Sequence, residues 1–178
     1  MALAVPYGNA VDLGRLLEPL RVDLAAWVTT QKGALYFSRD PLETLELLAE
    51  SPAGHRVIMQ YQSDQPTGGE QPGYFNPVLK TGLIFVVSFN PGLARHVEGK
   101  IIKGDATRES LMRIVSNLRS RLMSYRWDTN LVDHGRLAYE GTTPYSMAEF
   151  FPFAAYEMSF SMVHVCPLPS STVSLTVT

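Results

Sequence analysis

Residues 107–127, TRESLMRIVSNLRSRLMSYRW, set Leu111, Ile114, Val115, Leu118, Leu122 and Tyr125 at spacings of three and four, the period of one face of an α-helix. Arg113, Ser116, Ser120 and Arg121 fall off that stripe. The spacing predicts an amphipathic helix from Arg108 to about Trp127, capped at Asp105-Ala106-Thr107, and its apolar side needs another layer to lie on. Strand patterns supply that layer on both sides of it. Upstream, His55–Gln62 alternates Val57, Met59 and Tyr61 against Arg56, Ile58 and Gln60, and Thr81–Asn90 sets Leu83, Phe85, Val87 and Phe89 against Ile84 and Val86. The second of these is apolar on both faces, as a covered strand is. Downstream, Gly135–Thr143 alternates, and Ala155–Val165 sets Tyr156, Met158, Phe160 and Met162 against Glu157, Ser159 and Ser161.

Toward the N-terminus, Leu13, Leu16, Leu17, Leu20, Leu24 and Trp27 form a second helical stripe over Val11–Val28. Pro19 interrupts it and predicts either a kink or a short turn followed by a helix from near Glu18. Asp40-Pro41-Leu42-Glu43 has the makings of a capped helix start, with Asp at the N-cap, Pro at the first turn and Glu three residues on. A short helix over about Pro41–Glu50 follows. Ser63–Pro77 and Pro91–Ala106, rich in Gly and Pro, read as long excursions. The expectation is an α+β fold: an antiparallel or mixed sheet of about four strands, two main helices on one side, and long loops. Residues 1–166 form one domain, and 167–178 an uncharged extension with β propensity.

The 178 residues carry 15 basic and 17 acidic side chains, a net charge of -2. That balance argues against sequence-specific nucleic-acid binding or a polybasic membrane binder. The charged share of 18% is below the usual level of about 25%, which points to surface covered by other chains. The single Cys166 excludes an intramolecular disulfide and a multi-Cys zinc site; with no base nearby in sequence, it reads as a structural thiol. The N-terminus lacks the pattern of a signal peptide, and the longest apolar run, Leu83–Val87, is far shorter than a membrane helix. A soluble intracellular protein is expected. Gly99-Lys100 lacks the rest of a phosphate loop, and His55, His96, His134 and His164 stand far apart without carboxylates at ligand spacing. No cofactor, metal or catalytic residue is expected.

Two features stand out against this plain background. Arg108, Arg113, Arg119, Arg121 and Arg126 load one helix with guanidinium groups. A solvated face suited to the helix dipole explains them simply; bidentate pairing with a neighbouring subunit explains why they are Arg and not Lys, and puts Arg113 and Arg121 first as interface candidates. The loops are the second feature. Tyr74 and Phe75 in the first excursion, Arg95 in the second, and Phe150, Phe151 and Phe153 in the aromatic loop Tyr145–Phe153 are further interface candidates, because such apolar groups are anchors in an assembly and liabilities outside one.

In order and proportion, the segments VDLGRLLEPLRVDLAAWV, HRVIMQY with GLIFVVSFNPG, TRESLMRIVSNLRSRLMSYRW, and AAYEMSFSMVHV resemble the tail terminator, or tail completion, proteins of long-tailed bacteriophages, the family of the phage lambda terminator. The resemblance covers about Val11–Val165. It implies an α+β subunit of a homo-hexameric ring that sits on the completed tail tube, stops tube polymerisation and offers a surface to the head–tail connector. The partners implied are other copies of the chain, the tube protein and the connector, and the location is the virion tail or neck, assembled in the bacterial cytoplasm. The helix at Pro41 and the charge-free extension look like additions to the family pattern. A competing expectation is a small-molecule-binding α+β domain or enzyme, in which Tyr139, Tyr156 and Phe160 line a pocket and His164 acts as acid or base.

Overall fold

The structure, a computed structural model, describes residues 13–49, 54–66, 78–90, 110–127, 135–145 and 154–165. In chain order the elements are α1 (Leu13–Thr30), β1 (Gly33–Ser38), α2 (Pro41–Ala49), β2 (Gly54–Pro66), β3 (Val78–Asn90), α3 (Leu111–Ser124), β4 (Ala138–Pro144) and β5 (Ala154–Val165). The strands form one five-stranded sheet in the order β1-β2-β3-β5-β4. β1 runs parallel to β2, and every other pair is antiparallel, so the sheet is mixed. The class is α+β.

Period-2 alternation puts two separate cores on the two faces of that sheet. On one face Leu16, Leu20, Leu24 and Val28 of α1 join Leu111, Ile114, Val115, Leu118 and Leu122 of α3 over Val57, Met59, Leu83, Phe85, Val87, Phe89, Met158, Phe160 and Met162. Phe85 and Phe160 meet edge to face at 5.7 Å and 87°, the arrangement their ring quadrupoles favour. On the other face Leu45 and Leu48 of α2 pack with Ile58, Val86, Tyr145 and Ala155 in a smaller cluster. The two main helices therefore do share one side, and α2 covers part of the other.

Several expectations are corrected. The sheet has five strands and not about four, because Gly33–Ser38 forms the parallel edge strand β1; six residues between two helix signals carry no pattern of their own. Ser63–Pro66 is not loop: past a register shift between Tyr61 and Ser63, β2 continues to pair with β3 as far as Pro66 opposite Leu79. The main helix starts at Leu111, not Arg108, because Ser110 is extended and its Oγ accepts the Arg113 N–H at 3.2 Å. It ends before Trp127, since Tyr125 is extended (φ -61°, ψ 140°). Asp105-Ala106-Thr107 lies outside the described residues. Pro19 sits inside a single helix, so a turn followed by a new helix from Glu18 does not occur; Pro19 is on the exposed side, where water can serve the carbonyl it leaves without a donor.

The short helix starts as its sequence requires, with one variation. Asp40 Oδ1 accepts the Glu43 N–H at 2.9 Å, while the Glu43 carboxylate accepts from the backbone N–H of Arg39 and not from that of the cap residue itself. Two left-handed residues close connections. Lys32, at φ 56°, ends α1 ahead of β1, and Gly135, at φ 59°, places its carbonyl to accept the Trp127 N–H at 2.9 Å. A side chain at Gly135 would come within 3.0 Å of the Trp127 carbonyl.

Candidate functional site

The arginines of α3 come first, and their surroundings differ one by one. α1 and α3 lie side by side, and Arg121 reaches across to Asp23 with two parallel hydrogen bonds, Nε to Oδ2 at 2.9 Å and Nη2 to Oδ1 at 2.6 Å. This is the planar pairing that favours Arg, but its acid belongs to the same chain. Within the chain, the acid that Arg121 meets lies 98 residues earlier in sequence. Arg119 stands 5.8 Å over the ring of Tyr139, and Arg126 donates from Nη1 to the carbonyls of Met123 and Tyr125, both at 2.9 Å, closing the helix end. Arg113 is exposed on the outer side of α3. Arg108, Arg95, Tyr74, Phe75, Phe150, Phe151 and Phe153 lie outside the described residues.

The residues proposed for an aromatic pocket share a face without sharing a site. Tyr156, Phe160 and His164 alternate along β5, but Tyr156 and His164 are roughly 26 Å apart at the rise of an extended strand. Phe160 is core, packed against Phe85 and, at 5.3 Å, against Tyr139.

What surrounds His164 is a polar chain, buried at one end and open at the other, that sequence reading missed. Thr81 Oγ1 donates to Asp64 Oδ1 and lies 2.8 Å from His164 Nε2. A hydroxyl has one proton, so with it committed to the carboxylate, Nε2 of His164 is the donor to Thr81. Thr81 is fully buried and His164 is 3% exposed, and His164 Nδ1 has no partner. Tyr61 stands beside the chain; partial desolvation first, then the Asp64 carboxylate, holds its phenol above the usual tyrosine range. The group joins three strands, β2, β3 and β5. Thr81 and His164 are shut away from solvent while Asp64 opens to it, and the bonds between them tie the three strands to one another.

The opposite face holds one buried and one half-buried charged group. Arg56, 4% exposed, donates from Nη1 to the Leu47 carbonyl and lies 5.4 Å over the Tyr36 ring, tying α2, β1 and β2 together. Glu157, on β5, is pushed above the ordinary carboxylate range by burial. Glu140 is held below it by hydrogen bonds from Lys80, whose Nζ is 2.6 Å away, and from Ser161.

Among the described residues, strand backbone without a strand partner lies at the sheet's two edges and along the outer part of the β2–β3 hairpin. β1 stops opposite Gln60, while β2 runs on through Tyr61–Pro66, about 20 Å further. Over that length the hairpin is flanked by β5 on one side and by no strand on the other among the described residues. Among the described residues no three His, Cys, Asp or Glu side chains gather as a metal site, and no helix is long and apolar enough to cross a membrane. Neither a protein-family model nor a curated protein matches the chain.

Proposed function

We propose that the protein is a structural ring subunit of the tail-terminator kind, acting where a phage tail tube ends and a head connector begins. The observation that carries this reading is the β2–β3 hairpin. Its two strands, each of 13 residues, outrun β1, and its outer part projects a backbone edge and leads into Thr67–Pro77, with Tyr74 and Phe75. Such an arm is built to reach a neighbour more than to enclose a ligand. The order of α1, hairpin, α3 and the β4–β5 pair adds to it, since it follows the order of the family the sequence resembles.

The test is direct. Purified protein is mixed with polymerising tail tube subunits, and tube lengths are read by electron microscopy. The reading expects growth to stop, with a ring on one end and an oligomer mass near six times that of the 19.7 kDa chain. A variant lacking Thr67–Gly73 is expected to stay folded and lose the capping. Tubes that grow unchanged at excess protein overturn the reading, and normal capping by the deletion variant removes the arm from it.

A further inference from the structure

Among the described residues the sheet has two open edges, β1 and β4, and they are not equivalent. β4 carries three features that discourage a further strand: Pro144, the charged Glu140 tied to Lys80, and a register shift between Tyr139 and Gly141. β1, Gly-Ala-Leu-Tyr-Phe-Ser, has no charge and no proline, and pairs with β2 in unbroken register. Its side chains are half-covered, with Phe37 45% exposed. By alternation Leu35 and Phe37 lie toward α1 and Tyr36 toward α2. An added strand would complete both cores at this edge.

One segment of the chain has the matching pattern. Residues 172–178, TVSLTVT, alternate Val173, Leu175 and Val177 with Thr and Ser and carry no charge, the signature of a strand with one face buried. We propose that β1 takes up residues 172–178 of a second copy of this chain as an additional strand, with Val173, Leu175 and Val177 continuing the apolar face over Leu35 and Phe37.

Reach favours another copy as the source of the tail. Val165 pairs with Val78, whereas Ser38 lies level with Gln60, Ile84 and Ser159. A strand beyond β1 is four strand spacings from β5, about 19 Å across, and Ser38 is about 20 Å back along the strands, about 28 Å in a straight line. The eight residues from Val165 to Val173 span about 26–29 Å when fully extended, so the chain's own tail would meet that edge only at full stretch. The straight path is also blocked by the outer part of the β2–β3 hairpin. A neighbour's tail has no such path to travel.

The proposal deepens the ring reading and rests on it only for why copies meet. In a Cys166→Ser background, chains carrying Phe37→Cys are mixed with chains carrying Leu175→Cys under copper-phenanthroline oxidation, and light scattering is run on full-length, Phe37→Lys and 1–169 proteins. The expected results are a disulfide between the two different chains, no intrachain product in the double-cysteine protein, and at least a tenfold weaker self-association for Phe37→Lys and for 1–169, with Phe37→Lys melting like the parent. An intrachain disulfide, no cross-link, or undiminished association of the 1–169 protein overturns the strand exchange. Capping of tubes without cross-linking sinks the exchange and leaves the ring reading; cross-linking without capping does the reverse.

Discussion

Glu157 and Arg121 show how a single side chain reports its surroundings. Burial favours the neutral form of Glu157, so the folded state holds its proton more tightly than the unfolded chain does. Stability from this group is therefore present below the ordinary carboxylate range and lost as pH rises through the raised folded value. Glu157→Gln is expected to raise the melting temperature at pH 7 by about 1–2 °C, with the gain closing near pH 4; calorimetry at the two pH values checks it, and an equal gain at both removes desolvation as the cause. Glu140 has the opposite sign, its contribution fading in acid. For Arg121, reversal to Glu sets two carboxylates together between α1 and α3 and is expected to cost about 1–2 kcal/mol in urea unfolding, with Asp23→Arg added in the same chain recovering much of the loss. The sequence made Arg121 visible as an arginine needing a planar acid, but its partner is 98 residues away, and no local spacing names it. The Thr81–His164 contact, 83 residues apart, was out of reach for the same reason.

At the scale of elements, the long apolar stripes were legible because a helix or strand writes its own period into consecutive residues. Their spacing puts Leu111, Ile114, Val115, Leu118 and Leu122 on one face of α3, and all are buried there. Leu118→Ala is expected to cost roughly 2–5 kcal/mol, measured as a shift in the urea midpoint without a change in slope. An unchanged midpoint would take α3 off the sheet. What stayed hidden was pairing that local pattern does not encode. β1 is short, its residues are half-covered on both faces, and only β2, to which it runs parallel, makes it a strand. The continuation of β2 past Tyr61 was masked by Asp64, Gln65 and Pro66, which read as turn residues, and by a register shift that breaks the alternation.

For the whole molecule, two unequal cores on one sheet imply unequal stability. α1 and α3 share the larger cluster, and α2 holds to the sheet through the smaller one around Leu45 and Leu48 and through the Ser38–Thr44 and Arg56–Leu47 hydrogen bonds. Hydrogen exchange is expected to show α2 amides opening at a lower free energy than those of α3; identical protection would make the two faces one cooperative unit. The strand order has a different consequence, one for synthesis. β3 lies at the centre of the sheet between β2 and β5, yet Asn90 leaves the ribosome 75 residues before Val165 does. At about 5–20 residues per second, Leu83, Phe85, Val87 and the unpaired edge of β3 wait roughly 4–15 s for their second neighbour. During that interval the nascent chain presents an open apolar sheet, and nascent chains halted after Asn90 are expected to bind chaperones that the finished protein releases.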